Sequence, residues 1–156
     1  MTRVDHINDP NAPEPNSVVP STTAFIEDGA GRIVLIQRSD NGDWAMPGGA
    51  HDFGETISQT AVREAKEETG LDIEITGLIG IYTDPGHLAE YSDGEVRQQF
   101  SLCFRAVPIG GEIQTSEESL KVQWFSEAET ASVRINSSMR LRIKHGFQGL
   151  REPYIG

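Results

Sequence analysis

The chain has 156 residues, with 13 Lys and Arg against 24 Asp and Glu, a formal net charge of −11 and one cysteine, Cys103. That length suits one domain with a core that needs no staples. The lone thiol excludes an internal disulfide and fits a reducing compartment. The acid surplus argues against nucleic acid or an anionic membrane as partner, since both carry the same sign. No apolar run approaches the roughly 20 residues of a membrane helix, and the polar start has no signal-peptide pattern, so a cytoplasmic location is expected.

Four of the eight prolines (Pro10, Pro13, Pro15, Pro20) fall in the first twenty residues. Residues 1–20 therefore read as an extended or disordered arm, and 21–156 as a single folded domain. Residues 22–27 and 32–38 flank the turn Asp28-Gly29-Ala30-Gly31 and predict a hairpin. Thr56 followed by Gln59 reads as a capping box, and Gly70 as a left-handed C-terminal residue, so residues 57–69 are expected to be helical. Residues 71–82 predict a strand bent near Gly77. Asp84-Pro85-Gly86 and Ser92-Asp93-Gly94 bracket what reads as a loop. Residues 96–109 carry Phe100, Leu102, Phe104, Ala106 and Pro108 at period two, the pattern of one continuous strand. A short strand at 122–125, a short helix from Ser126 and a last helix at 138–147 complete the chain. This order predicts an α/β or α+β domain with helices packed on a mixed sheet.

The chemistry concentrates between Gly48 and Leu71. On a helix, Glu64, Glu67 and Glu68 share a sector about 100° wide. Carboxylates at these spacings repel, and the helix C-terminus adds to the penalty. On the helix alone a solvated acidic face is the first reading of such a run; a hard divalent cation such as Mg²⁺ or Mn²⁺ is the other, and the nearby glycine pair and Glu55 shift the balance towards it. The paired Gly48 and Gly49 let backbone approach a ligand and can offer a carbonyl to the same ion.

Gly49, five residues, Glu55, seven residues, then Arg63-Glu64-Ala65-Lys66-Glu67-Glu68-Thr69-Gly70-Leu71 resembles the Nudix box. Ala65 is one departure, standing where a larger aliphatic residue is usual. Trp44 to Gly49 before the box and residues 122–125 after it are also similar to that family. The resemblance implies an α/β/α sandwich with a loop–helix–loop on a mixed sheet. It also implies Mg²⁺- or Mn²⁺-dependent hydrolysis of a nucleoside diphosphate linked to another moiety. By position, Glu64 and Glu68 resemble metal ligands, with Glu67 a third and a carbonyl of Gly48 or Gly49 beside them. Glu55 resembles an outer residue of the metal and substrate site, and Arg63 a residue that orients a glutamate. The base varies in this family, so Glu64 is the first candidate and Glu118, on a later loop, the second, with Glu117 a third and a solvated loop the alternative for that pair; Glu67 is counted with the catalytic carboxylates.

Arg38 and Arg97 are candidate phosphate contacts, the alternative being surface ion pairs. Phe53 and Tyr82 could stack a base, with core or rim packing the first reading for both, while Trp44, Trp124 and Cys103 read as core. The last 25 residues hold five cations (Arg134, Arg140, Arg142, Lys144, Arg151) and only Glu152 as acid. They read as a solvated amphipathic helix, or else as a basic element over an anionic substrate or a second subunit. Pro85, fourteen residues past Leu71, is similar to a proline of ADP-ribose-cleaving members, so ADP-ribose or a related nucleotide is the favoured substrate. An oxidised-dNTP sanitising activity of MutT type is the alternative, and a non-catalytic nucleotide sensor is the alternative of another class. A small-molecule nucleotide is the expected partner, and a homodimer is compatible by analogy alone.

Overall fold

Helix α1 (Ile57–Thr69) forms between the two caps that its sequence announces. The Gln59 amide donates to Thr56 Oγ1 at 3.2 Å, and the Thr56 amide donates to Gln59 Oε1 at 2.8 Å. Gly70 closes it at φ 80°, and a Cβ there would stand 2.2 Å from the Glu112 carbonyl oxygen. The structure, a computed structural model, describes residues 2–156.

The strands are β1 (Arg3–Ile7), β2 (Ser21–Ile26), β3 (Arg32–Arg38), β4 (Trp44–Ala45), β5 (Gly48–Ala50), β6 (Leu71–Tyr82), β7 (His87–Tyr91), β8 (Val96–Gln98), β9 (Ser101–Gly111), β10 (Ser119–Ser126) and β11 (Tyr154–Ile155). Two further helices follow β10, α2 (Glu127–Thr130) and α3 (Ser137–Gln148). A mixed five-stranded sheet runs β11-β6-β9-β2-β5, with β2 parallel to β9. Three-stranded sheets β10-β3-β4 and β1-β7-β8 complete the frame.

Successive residues of β2 and β3 enter opposite cores, because strand side chains alternate. Ala24, Ile26 and Val34 pack with Ala65 of α1, Leu71, Ile73 and Ala106. Phe25, Ile33 and Leu35 pack with Cys103, Met139 and Ile143 on the α3 side. The result is the helix–sheet–helix layering expected of the fold, with a mixed sheet. Among the described residues no helix is long and apolar enough to cross a membrane.

Four expectations are corrected. Residues 22–27 and 32–38 do not form a hairpin ladder. Beyond one isolated bridge, Glu27 to Ile33, β2 pairs with β9 and β5 while β3 pairs with β10 and β4. Both strands are apolar on two faces and are buried as separate layers. The run at 96–109 breaks at Gln99–Phe100 into β8 and β9, which belong to different sheets. The supposed loop between the two turns contains β7, whose residues His87, Leu88 and Ala89 are all buried and so show no alternation. Finally, the first twenty residues, expected as an extended or disordered arm ahead of a domain beginning at 21, are extended but built into the fold. Arg3–Ile7 pairs antiparallel with β7, and the amides of Asn16 and Ser17 both donate to the Val96 carbonyl. The prolines lie between these two attachments.

Candidate active site

The capped helix carries Glu64 and Glu68 inward, where they are 9% and 6% exposed. Strand β5 brings glycine backbone against them. A Cβ on Gly49 would stand 2.4 Å from the Glu64 carboxyl group, and the Gly48 amide donates to Glu68 Oε2 at 3.4 Å. Ser119 Oγ donates to the Glu68 backbone carbonyl at 2.8 Å, which ties β10 to the helix and sets the preceding Glu118 at the cleft. Burial raises the pKa of Glu64. Burial, then the charge of Glu64, pushes Glu68 up to about 9. Two buried carboxylates that resist joint ionisation are a donor set that added positive charge would stabilise.

Arg63 organises the remaining acids. Its Nε and Nη2 donate to the two oxygens of Glu55 at 2.7 and 3.1 Å, and its Nη1 donates to Glu64 at 3.0 Å and Glu67 at 3.3 Å. Arg63 Nη2 also donates to the Ala50 carbonyl at 3.3 Å, fixing helix to strand. The Arg63 guanidinium, first of all causes, holds the Glu55 carboxyl below its ordinary range.

Facing the carboxylates across a cleft of about 480 Å³ is a wall of guanidinium groups. Arg3 of β1, Arg38 at the end of β3, Arg97 of β8 and Arg142 of α3 all line it. Arg38 Nη2 reaches Asp40 at 2.5 Å and its Nη1 reaches Asp5 at 3.4 Å. Arg97 Nε donates to Glu95 at 2.7 Å, and its guanidinium lies 4.6 Å from the Tyr91 ring centroid. Asp5 also accepts from Arg3 Nη2 at 2.7 Å and meets His87 Nε2 at 3.3 Å. Burial alone would raise the Asp5 carboxyl, but His87, Arg3 and Arg38 outweigh it and hold the group far below its ordinary value.

A family model described as the NUDIX domain matches residues 18–143. The chain belongs to the Nudix family. It is 34% identical over 119 residues to a MutT-like protein of Streptomyces ambofaciens, covering 76% of this chain and 70% of that one. It is also 34% identical over 102 residues to an ADP-ribose pyrophosphatase of Methanocaldococcus jannaschii, covering 60% of this chain and 54% of the relative. The chain thus spans only about half the length of some relatives. A solved NUDIX hydrolase from Nitrosomonas europaea superposes with a TM-score of 0.73 at 22% identity, covering 92% of this chain and 80% of that one, a likeness of fold.

Within this Nudix fold the box residues divide into two groups. Glu64, Glu68, Gly48 and Gly49 line the cleft together with Glu118, Arg38 and Arg97. Glu67 and Glu55 do not join them. Both carboxylates pair with Arg63, Glu55 through two oxygens and Glu67 from the exposed side of α1, and neither lines the cleft. Among the described residues no three His, Cys, Asp or Glu side chains converge on one point. A pair of carboxylates beside backbone still fits Mg²⁺, which uses one or two carboxylates and fills its other positions with water and phosphate.

Phe53 is fully exposed and Tyr82 fully buried, its hydroxyl 2.8 Å from His145 Nδ1, so neither is placed to stack a base in the cleft. Cys103 is buried, and burial raises its thiol pKa. Sequence reasoning missed Arg3 and His87. Arg3 stood alone ahead of the prolines, and His87 stood between two turn signals. The cationic tail pointed to Arg142 only as one of five.

Proposed function

We propose that this Nudix protein is a Mg²⁺- or Mn²⁺-dependent hydrolase of the diphosphate linkage in a nucleoside diphosphate joined to another moiety, with ADP-ribose or a close relative its first substrate. The observation that carries this reading is the buried Glu64–Glu68 pair against Gly48 and Gly49, at one wall of a cleft whose other wall is cationic. About 480 Å³ is within the range of small-ligand sites.

Glu64 and Glu68 would hold the divalent ion. When bound, the ion supplies charge neutralisation at phosphate oxygens and acidifies the attacking water. Arg38 and Arg97 offer forked donors to the diphosphate, and Asp40 and Glu95 keep those forks oriented. Arg63 fixes the Glu64 carboxylate from behind. Glu118 lines the cleft, is exposed and makes no ion pair among the described residues. It is therefore the carboxylate free to take the proton of the attacking water.

The test is a screen of ADP-ribose, nucleotide sugars, dinucleoside polyphosphates and oxidised dNTPs with Mg²⁺ and with Mn²⁺. Metal-dependent release of a nucleoside monophosphate from one class is the expected result. Glu118→Gln should lower kcat by about 100-fold with unchanged metal affinity. No turnover of any compound, with nucleotide binding undiminished in Glu64→Gln, would establish the sensor alternative instead.

A further inference from the structure

Each cationic side chain of the cleft wall except one has a carboxylate. Arg3 and Arg38 share Asp5, Arg38 also holds Asp40, and Arg97 holds Glu95. Arg142 is the exception: it is 5% exposed and makes no ion pair among the described residues. Its contacts are neutral and long. Nε donates to the Ser138 carbonyl at 3.4 Å, Nη1 to Ser101 Oγ at 3.3 Å and Nη2 to Ser138 Oγ at 3.2 Å. A guanidinium has five N–H donors, so one on each Nη is left over. The Tyr82 ring, its centroid 5.8 Å away, gives the charge a polarisable face but no counter-ion.

A guanidinium removed from water without an anion is costly, and its retention needs an explanation. Its surroundings are polar on the cleft side. Gln99 Nε2 donates to Ser138 Oγ at 2.9 Å, beside the Arg142 contact. Thr23 stands opposite Cys103 in the parallel β2–β9 ladder, so it shares a face with Ser101 two residues earlier on β9. The Thr23 hydroxyl is buried, lines the cleft and, beside the weakly interacting Cys103 thiol, has no nitrogen or oxygen partner among the described residues. A forked cation with two spare donors and an orphaned hydroxyl, both on one cleft wall, describe a receptor that a ligand completes.

We infer that Arg142, with Ser101 and Thr23, is the receptor for an anionic oxygen group of the substrate, phosphoryl or carboxylate, at the α3 wall of the cleft. It is a second point of attachment, separate from the Glu64–Glu68 wall. The strand order β5-β2-β9 sets Ser101 two strand spacings from the glycine strand, about 10 Å. The inference deepens the hydrolase reading by adding a charge requirement to its substrate, and the binding arm of its test does not depend on turnover.

The first arm measures thermal protection and calorimetric binding of inorganic phosphate, in EDTA and at fixed ionic strength, with chloride as the reference anion. The wild-type protein is expected to be protected, and Arg142→Met to bind phosphate at least tenfold more weakly while melting no lower than wild type without ligand. If the methionine variant does not fold, Arg142→Lys keeps the charge without the fork and is expected to bind three- to tenfold more weakly. The second arm compares KM for two matched pairs, UDP-glucose with UDP-glucuronate and NAD with NADP. A rise in KM confined to the more anionic member of a pair assigns the group to a separate substituent. An equal rise for both members assigns it to the diphosphate itself. Phosphate binding that is absent in wild type, or unchanged by both substitutions, overturns the inference. Failure of hydrolysis with phosphate binding lost in the variant overturns the hydrolase reading and leaves the receptor standing.

Discussion

The two walls of the cleft handle charge in opposite ways. On the α1 wall, like charges are buried together and only partly relieved, with Glu64 and Glu68 both raised in pKa and one arginine serving three glutamates. On the other wall, opposite charges are interleaved, so Asp5 is held low and three of the four arginines are matched. On the proposed reading, the first arrangement gives up local stability for affinity towards a cation. The second is stable by itself and presents oriented donors. The proposed substrate, a diphosphate bridged to a divalent ion, would use both.

Substitutions on the two walls should therefore diverge. The largest effect is expected for Glu64→Gln, where kcat should fall at least about 100-fold in steady-state assays while nucleotide binding persists. Gly49→Ala comes next, because its Cβ would stand 2.4 Å from the Glu64 carboxyl group and must displace it. A shift of that kind should lower kcat about 10- to 100-fold with little change in melting temperature.

Asp5→Asn attacks the matched wall and should behave differently, raising KM with kcat nearly constant and lowering stability by about 1–3 kcal/mol. Because the folded-state pKa of Asp5 lies below its ordinary value of 3.8, its contribution is fully present above about pH 4 and drains away as pH falls further. Denaturant titrations of wild type and variant should run parallel from neutral pH down to that point and converge below it. A gap that widens towards acid would contradict the assignment. The smallest effect belongs to Glu68→Gln without metal. Removing one of two repelling carboxylates should leave the melting temperature unchanged or higher while metal affinity falls, and a clear loss of metal-free stability would mark the pair as structural.

Residues 48–71 were legible in the sequence because their structure is local. Thr56, Gln59 and Gly70 fix both ends of α1 by contacts within a few residues, and helical spacing then puts Glu64 and Glu68 on one face. The same spacing also included Glu67, which lies on the exposed side of α1 beside Arg63. The cationic wall was largely illegible. Arg3, Arg38, Arg97 and Arg142 are spread over nearly the whole chain and meet only because β1 pairs with β7 and α3 packs against the β9 face. No local pattern announces such a meeting. The hairpin at 22–38 failed for the same reason: turn chemistry favours a reversal, but which strand becomes the neighbour is settled by burial of both faces.

By itself, then, the sequence determined the capped helix, the carboxylates it carries and the family to which they belong, since caps, helical period and glycine conformations act over one or two turns. The pairing of β2, the use of residues 3–7 as a wall of the cleft and the choice of Arg142 over its four cationic neighbours were decided by tertiary structure. Those outcomes depend on which distant surfaces are driven out of water together, a choice made by the whole core and by no segment of it.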